Sequence, residues 1–297
     1  MIEHELWAPR AKHFIRSYQP RPRRASEGEL VQIDGSDHEW FEGRAPRCTL
    51  LVYVDDATSK LKNLRFVESE STQSYFKATK AYVKEHGKPL ALYSDKLGVF
   101  RSNHKVDKGT GDGITQFGRA LESLNIEIIC ANSPQAKGRV ERANGVLQDR
   151  LVKELRYKKI NSMDEANAYL PEFIEQYNQK FGKEPLSGSN VHTPLRINEI
   201  RKLDQIFCWQ ETRVLAKDLT LIYERTKFIV EDSIENRKLR GKDIKVYDYK
   251  DGRIVLEYKE RVLKYRTFEK IASSPQGRVV NSKRLDYVLR VVKDSQA

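Results

Sequence analysis

Three acidic residues stand out by type and setting: Asp34, Asp95 and Glu141. Asp34 lies inside VQIDG, a run of strand formers. An acid is unexpected there, because an unpaired buried carboxylate is costly to desolvate. Asp95 follows the short apolar run LALYS, and Glu141 falls in AKGRVERANG, in the first turns of a long helical pattern. Three carboxylates drawn together repel one another unless a divalent cation neutralises them. Hard oxygen ligands suit Mg²⁺ or Mn²⁺. The chemistry within reach is therefore metal-assisted, provided the fold brings three distant positions together.

Other polar residues have plainer readings. Asp55 and Asp56 fall in a turn between two strand-like runs, where Asp is expected for turn chemistry. Asp37 and His38 read as part of the loop after the first strand, and His104 as a solvated loop residue. Trp40 and Trp209 read as packing residues. Cys48, Cys130 and Cys208 are far apart and form no C-x-x-C pair, which argues against a disulfide framework or a zinc finger.

The elements that must position the acids follow from periodicity. Strands are expected over 29–36, 47–56 and 60–69, the last with clear apolar–polar alternation. The period changes over 71–86, where Tyr75, Ala78, Tyr82 and Val83 share a helical face and Gly87 ends it. A strand over 89–94, a helix over 114–124, a strand over 126–130 and helices over 135–156 and 163–181 complete the region. Three strands joined by short turns suggest an antiparallel meander. Strands alternating with helices should add in parallel. Neighbouring first and fourth strands would bring Asp34 and Asp95 together, and a helix beside them would add Glu141.

Beyond about 185, Pro185, Gly188 and Pro194 mark a connector over 186–204. Six strand-like runs follow between 205 and 270, with Asp251-Gly252 as a hairpin signal. They read as a small β-barrel, followed by a basic tail over 271–297. At the other end, 1–27 reads as a basic arm or linker. Arg10, Lys12, Arg16, Arg21, Arg23 and Arg24 occur there with no acid between them, and Pro20 and Pro22 favour an extended path. So little apolar material precedes the first strand that no independently folded module is expected in it.

Charge supports a polyanionic partner. Among 297 residues, 54 Lys and Arg against 42 Asp and Glu leave +12, with a pI near 9.4. Cations that neutralise phosphates release condensed counterions, so affinity follows charge. The basic run over 133–159 begins beside Glu141, which makes Lys137, Arg139 and Arg142 candidates for backbone-phosphate contact. No apolar run is long enough to span a bilayer and no signal peptide is evident, so a cytoplasmic protein without a membrane partner is expected.

These residues carry a resemblance. VQIDGSDHEW, LLVYVDDATSK, LALYSDKLGVF, TQFGRALESLNIEIICANSPQAKGRVERANGVLQDRLVKEL and FIEQYNQKF are similar to the integrase catalytic core of DDE-type insertion-sequence transposases, in the retroviral-integrase superfamily. The resemblance covers about 28–185 and is nearest to the insertion sequences grouped outside the main families. It implies a ribonuclease H-like α/β fold with a mixed five-stranded sheet and flanking helices. It implies Asp34, Asp95 and Glu141 as a catalytic and metal-binding triad for two Mg²⁺ ions, with Mn²⁺ as substitute. Such a pair activates an attacking oxygen and stabilises a leaving one at phosphorus. The implied partners are transposon ends, target DNA and further copies of the chain.

Two departures matter. The interval from Asp95 to Glu141 is longer than the family's usual one, and the polar stretch 101–113 accounts for the excess as an insertion, expected at the surface near Asp95. Two turns after the glutamate, where many relatives carry a basic DNA contact, this chain has Gln148. Arg142, Arg150 and Lys153 are the possible substitutes. Two rivals stay open: a catalytically impaired remnant that only binds DNA, and a structure-selective nuclease on the same fold.

Overall fold

The structure is a computed structural model, and it describes residues 21–95, 98–100, 114–130 and 137–268. The insertion 101–113 and the tail 271–297 lie outside the described residues, as does most of the arm.

A five-stranded sheet organises the first unit. Strands β1 (Leu30–His38), β2 (Cys48–Asp55) and β3 (Leu61–Val67) form the meander, and β4 (Ala91–Ser94) and β5 (Glu127–Cys130) complete the order β3-β2-β1-β4-β5. The pairs β1/β2 and β2/β3 are antiparallel, whereas β1/β4 and β4/β5 are parallel. This is the mixed sheet that the periodicity predicted. Strand β1 runs two residues beyond its expected end and so takes in Asp37 and His38. Asp37 pairs with Arg47 at 2.9 Å, and His38 packs edge-on against the buried Trp40.

Each face of the sheet carries its own core. On one face lie α3 (Gly138–Tyr157) and α4 (Met163–Phe181), which send Leu147, Leu151, Leu155, Leu170 and Phe173 against Leu50, Val52 and Phe66. On the other lie α1 (Thr72–His86) and α2 (Gln116–Glu122), whose Tyr75, Phe76, Tyr82, Phe117 and Leu121 cover Val31, Ile33, Leu51 and Tyr53. Strand side chains alternate between faces. Strand β2 is buried along its whole length and carries the apolar run Leu50–Val54 without alternation, whereas β1 alternates. The helix starts are fixed locally. Ser71 and Ser74 form a reciprocal capping box at α1, and Ser162 accepts from the Glu165 N–H at α4.

The connector contains a helix that was not expected there, α5 (Ile197–Ile206). It is tied to the loop between α1 and β4 by a buried ion pair, Lys88 Nζ to Glu199 Oε1 at 2.7 Å, and to the α1/α2 core by Leu203 and Phe207. Just before it, His192 packs over the backbone of Gly28, whose φ of +87° and missing Cβ make room for the ring. His192 Nε2 lies 2.6 Å from the Tyr82 hydroxyl. Burial pushes its pKa down to about 4 from the usual 6.5, with repulsion from Lys62 and His86 adding to the effect. The unfolded chain binds this proton first, so the folded state loses stability as pH falls from about 6.5 towards 4. His192→Gln is expected to flatten that part of a melting-temperature profile. An unchanged slope would remove His192 as its source.

The second unit, described by itself, covers 210–248 and the described residues from 252 on. Strands β6 (Trp209–Val214), β9 (Asp243–Asp248), β10 (Ile254–Tyr258) and β11 (Arg261–Leu263) form one sheet in the order β11-β10-β9-β6. Strands β7 (Thr220–Tyr223), β8 (Thr226–Val230) and β12 (Tyr265–Phe268) form another in the order β12-β8-β7. Leu221, Phe228, Ile244, Val246 and Leu256 share one core. The expected small barrel is thus corrected: among the described residues neither sheet closes. The last strand-like run splits at Lys264 into β11 and β12, which pair in different sheets. A four-residue helix, α6 (Ile234–Arg237), was also not foreseen.

Candidate active site

The register of β1 against β4 sets the geometry. Gln32 pairs with Tyr93 in a parallel ladder, so Asp34 and Asp95, each two residues further on, lie level and on the same face. That face is the one covered by α3. Its residues Gln32, Asp34 and Ser36 are each met by the helix. Gln32 Oε1 accepts from the Val140 N–H at 3.1 Å. Asp34 accepts from Lys137 Nζ at 2.5 Å and from Asn144 Nδ2 at 2.9 Å. Ser36 Oγ accepts from Gln148 Nε2 at 3.0 Å. This ladder explains how an acid is tolerated within a buried strand: its partners arrive from a segment about a hundred residues away.

Lys137 also reaches Asp95, at 3.8 Å, so one ammonium stands between the two carboxylates. Burial raises the Asp34 carboxyl above its ordinary range, against the lowering effect of its Lys137 bond. Asp95 is half exposed. Glu141 occupies the helix face shared by Lys137 and Asn144, one turn from each, and is exposed. Among the described residues, no three His, Cys, Asp or Glu side chains lie close enough to hold a metal ion together. The structure therefore brings Asp34 and Asp95 together and leaves Glu141 beside them on the helix.

Sequence reasoning missed two polar neighbours of Asp34. One is Asn144, whose Oδ1 is buried without a hydrogen-bond partner among the described residues. The other is Glu70. Its carboxylate lies against Gly35, where any Cβ would collide with it, and it accepts from the Tyr75 hydroxyl at 3.0 Å. Burial raises its carboxyl, with the Asp34 and Asp95 charges adding to the effect. The signal in the sequence was the glycine after Asp34, which permits this close approach.

The expected phosphate contacts divide. Lys137 and Arg139 are 7% and 8% exposed and turn inward, Lys137 to Asp34 and Arg139 Nη1 to the fully buried Asp56 at 3.0 Å. Arg142 and Lys153 are exposed, and Lys153 pairs with Asp149 one turn away. Gln148 is engaged by Ser36, and Arg150 lies over the Phe181 ring. Cys48 is a buried thiol whose pKa burial lifts to about 11, in keeping with a packing role.

The site's own chemistry fits a hard divalent cation. Its donors are carboxylate oxygens, a cationic group already bridges two of them, and an orphaned amide oxygen adjoins them.

No family model matches the chain. Over 296 residues, all of this chain, it is 48% identical to y4bF of Sinorhizobium fredii, which is named as a transposase. That likeness runs over the whole of this chain. It is also 39% identical over 182 residues, 59% of its length, to the transposase for insertion sequence IS1202 of Streptococcus pneumoniae. It spans 64% of the first of these transposases and 38% of the second. Among solved structures, the magnesium-bound HTLV-2 integrase catalytic core domain in its trimeric form is 20% identical. It covers 53% of this chain and 90% of that one, with a TM-score of 0.41.

Proposed function

We propose that this chain carries the ribonuclease H-like catalytic core of a DDE-type transposase, over about 28–185, and cuts and joins DNA with Asp34, Asp95 and Glu141. The observation that carries the reading is the level placement of Asp34 and Asp95 across β1 and β4, bridged by the Lys137 ammonium. Two Mg²⁺ ions, with Mn²⁺ as substitute, would be held by Asp34, Asp95 and Glu141 and would supply an activated oxygen nucleophile and a stabilised leaving oxygen. The chain's own part is positional. Asn144 fixes the orientation of the Asp34 carboxylate through one oxygen. Lys137 keeps the two aspartates from repelling each other until a stronger cation competes for them. Glu141 supplies a solvent-facing carboxylate where DNA can approach. The partners are transposon ends, target DNA and further copies of this chain, in the cytoplasm. No helix among the described residues is long and apolar enough to cross a membrane.

The deciding experiment incubates the protein with Mn²⁺ or Mg²⁺ and duplexes that mimic transposon ends. Nicked products and, with a free 3′-hydroxyl, joined products are expected. Binding without either product would favour a remnant that only holds DNA, and nicking without joining would favour a nuclease.

Phosphate contact is proposed for Arg142 and Lys153, the two candidate cations that face solvent. Arg142→Gln should weaken binding about equally for all duplex sequences and reduce the slope of log affinity against log salt by roughly one. The same change at Arg139 should act on folding instead, because its guanidinium serves a buried carboxylate. Equal salt slopes for Arg142→Gln and the parent would exclude that contact.

A further inference from the structure

We propose that Arg21 is a positioning residue, whose docking on Asp56 fastens segment 21–24 to β1 and α3 and sets the first turn of α3. Asp56 is fully buried and gathers four groups. It forms ion pairs with Arg21 and with Arg139, and it accepts from Gln32 Nε2 at 2.8 Å and from the Arg24 N–H at 2.9 Å. Two of these partners belong to the segment, one to β1 and one to α3. Further bonds run between them. Arg139 Nη2 donates to the Arg21 carbonyl at 3.2 Å, and Arg23 Nη1 donates to the Ala57 carbonyl at 3.0 Å.

The consequence falls on the start of α3. The first N–H groups of a helix have no partner inside it, and the cap residue Lys137 offers no side-chain bond there. Gln32 takes that part: its Oε1 accepts from the Val140 N–H while its Nε2 is held by Asp56. Asp56 thus orients the amide that caps α3, and Arg21 and Arg139 hold Asp56 from opposite elements. Arg21 also lies over the Tyr93 ring, 5.9 Å from its centroid and two residues before Asp95. Arg21 therefore touches the strand that leads to Asp95 through its guanidinium and, through Asp56 and its backbone carbonyl, the first turn of the helix that bears Glu141. Its side chain is 28% exposed, at the edge of the unit, so its loss leaves the Asp56–Arg139 pair in place. The inference that this matters for catalysis rests on the function proposed above; the inference that it sets the helix start does not.

The test uses the full chain with Arg21→Ala and Arg21→Lys, read by amide hydrogen exchange. In Arg21→Ala the Val140 amide should exchange about tenfold faster, the scale of one weakened hydrogen bond, while the β2 amides keep their protection. Arg21→Lys should restore part of the effect, because an ammonium keeps the charge but not the planar fork. A titration with Mn²⁺ alone should show weaker uptake by Arg21→Ala than by the parent. An unchanged Val140 amide would overturn the proposal. So would β2 amides that loosen as much as Val140, which would make Arg21 a general stabiliser. A parent chain that takes up no Mn²⁺ would sink the functional reading alone, and the Val140 amide would still decide the role of Arg21.

Discussion

Asp34→Asn is expected to lower metal-dependent cleavage and joining by about a thousandfold or more, roughly 4 kcal/mol of transition-state stabilisation. The change keeps the shape of the side chain and one acceptor oxygen but removes the charge that a cation needs. It should also lower the melting temperature of the metal-free protein, because among the described residues the buried Lys137 ammonium then keeps only the half-exposed Asp95 as its anion. Glu141→Gln should match it in lost activity and differ in stability, since an exposed side chain leaves nothing buried and unpaired. The paired measurement is product formation with Mg²⁺ beside a thermal melt without it. Near-normal cleavage by either variant would take that residue out of the triad, whatever the melt shows.

Phe117→Ala should give the largest loss of stability among these changes. Phe117 is fully buried, with its ring centroid 5.4 Å from that of Phe100, 5.8 Å from Tyr75 and 6.4 Å from Phe76. Truncation removes that burial and leaves a cavity whose aromatic walls cannot collapse far, a cost of about 3–5 kcal/mol. At about 2–4 °C per kcal/mol for a unit of this size, the melting temperature should fall by roughly 10 °C. Phe117→Leu keeps most of the volume and should cost much less. A urea titration of both variants checks it, and equal midpoints would mean that the aromatic cluster does not carry the second core.

Much of the fold was legible because its signals are local. The alternation in β3 and the helical face of Tyr75, Ala78, Tyr82 and Val83 in α1 act within a few residues of where they are read. The same holds for Asp34 as an anomaly, since an acid in a strand pattern demands a partner. What the pattern could not say was who that partner is. Lys137 and Asn144 lie over a hundred residues away and look like any solvated helix face until α3 is laid on β1. Arg139 reads as a surface cation for the same reason, and only the fold reveals Asp56 behind it. Helix α5 escaped notice because Pro185, Gly188 and Pro194 read as a connector, although Leu203, Ile206 and Phe207 recur at helical spacing and join the core beside the buried Lys88–Glu199 pair. The open pair of sheets in the second unit was read as a barrel because strand count and spacing do not determine closure.

The ladder between β1 and α3 has a mechanical consequence. Gln32, Asp34 and Ser36 stand at every second residue of a strand, and their partners Val140, Asn144 and Gln148 climb one side of a helix. The two repeats coincide over this short distance and in one phase only. Any roll of α3 about its axis, or any slide along the strand, would break all three links together. The helix is therefore keyed to the strand like a cog in a rack. Bringing the Glu141 carboxylate towards Asp34 and Asp95 is then a matter of its own side-chain torsions, which swing in nanoseconds, and not of moving the helix that bears it.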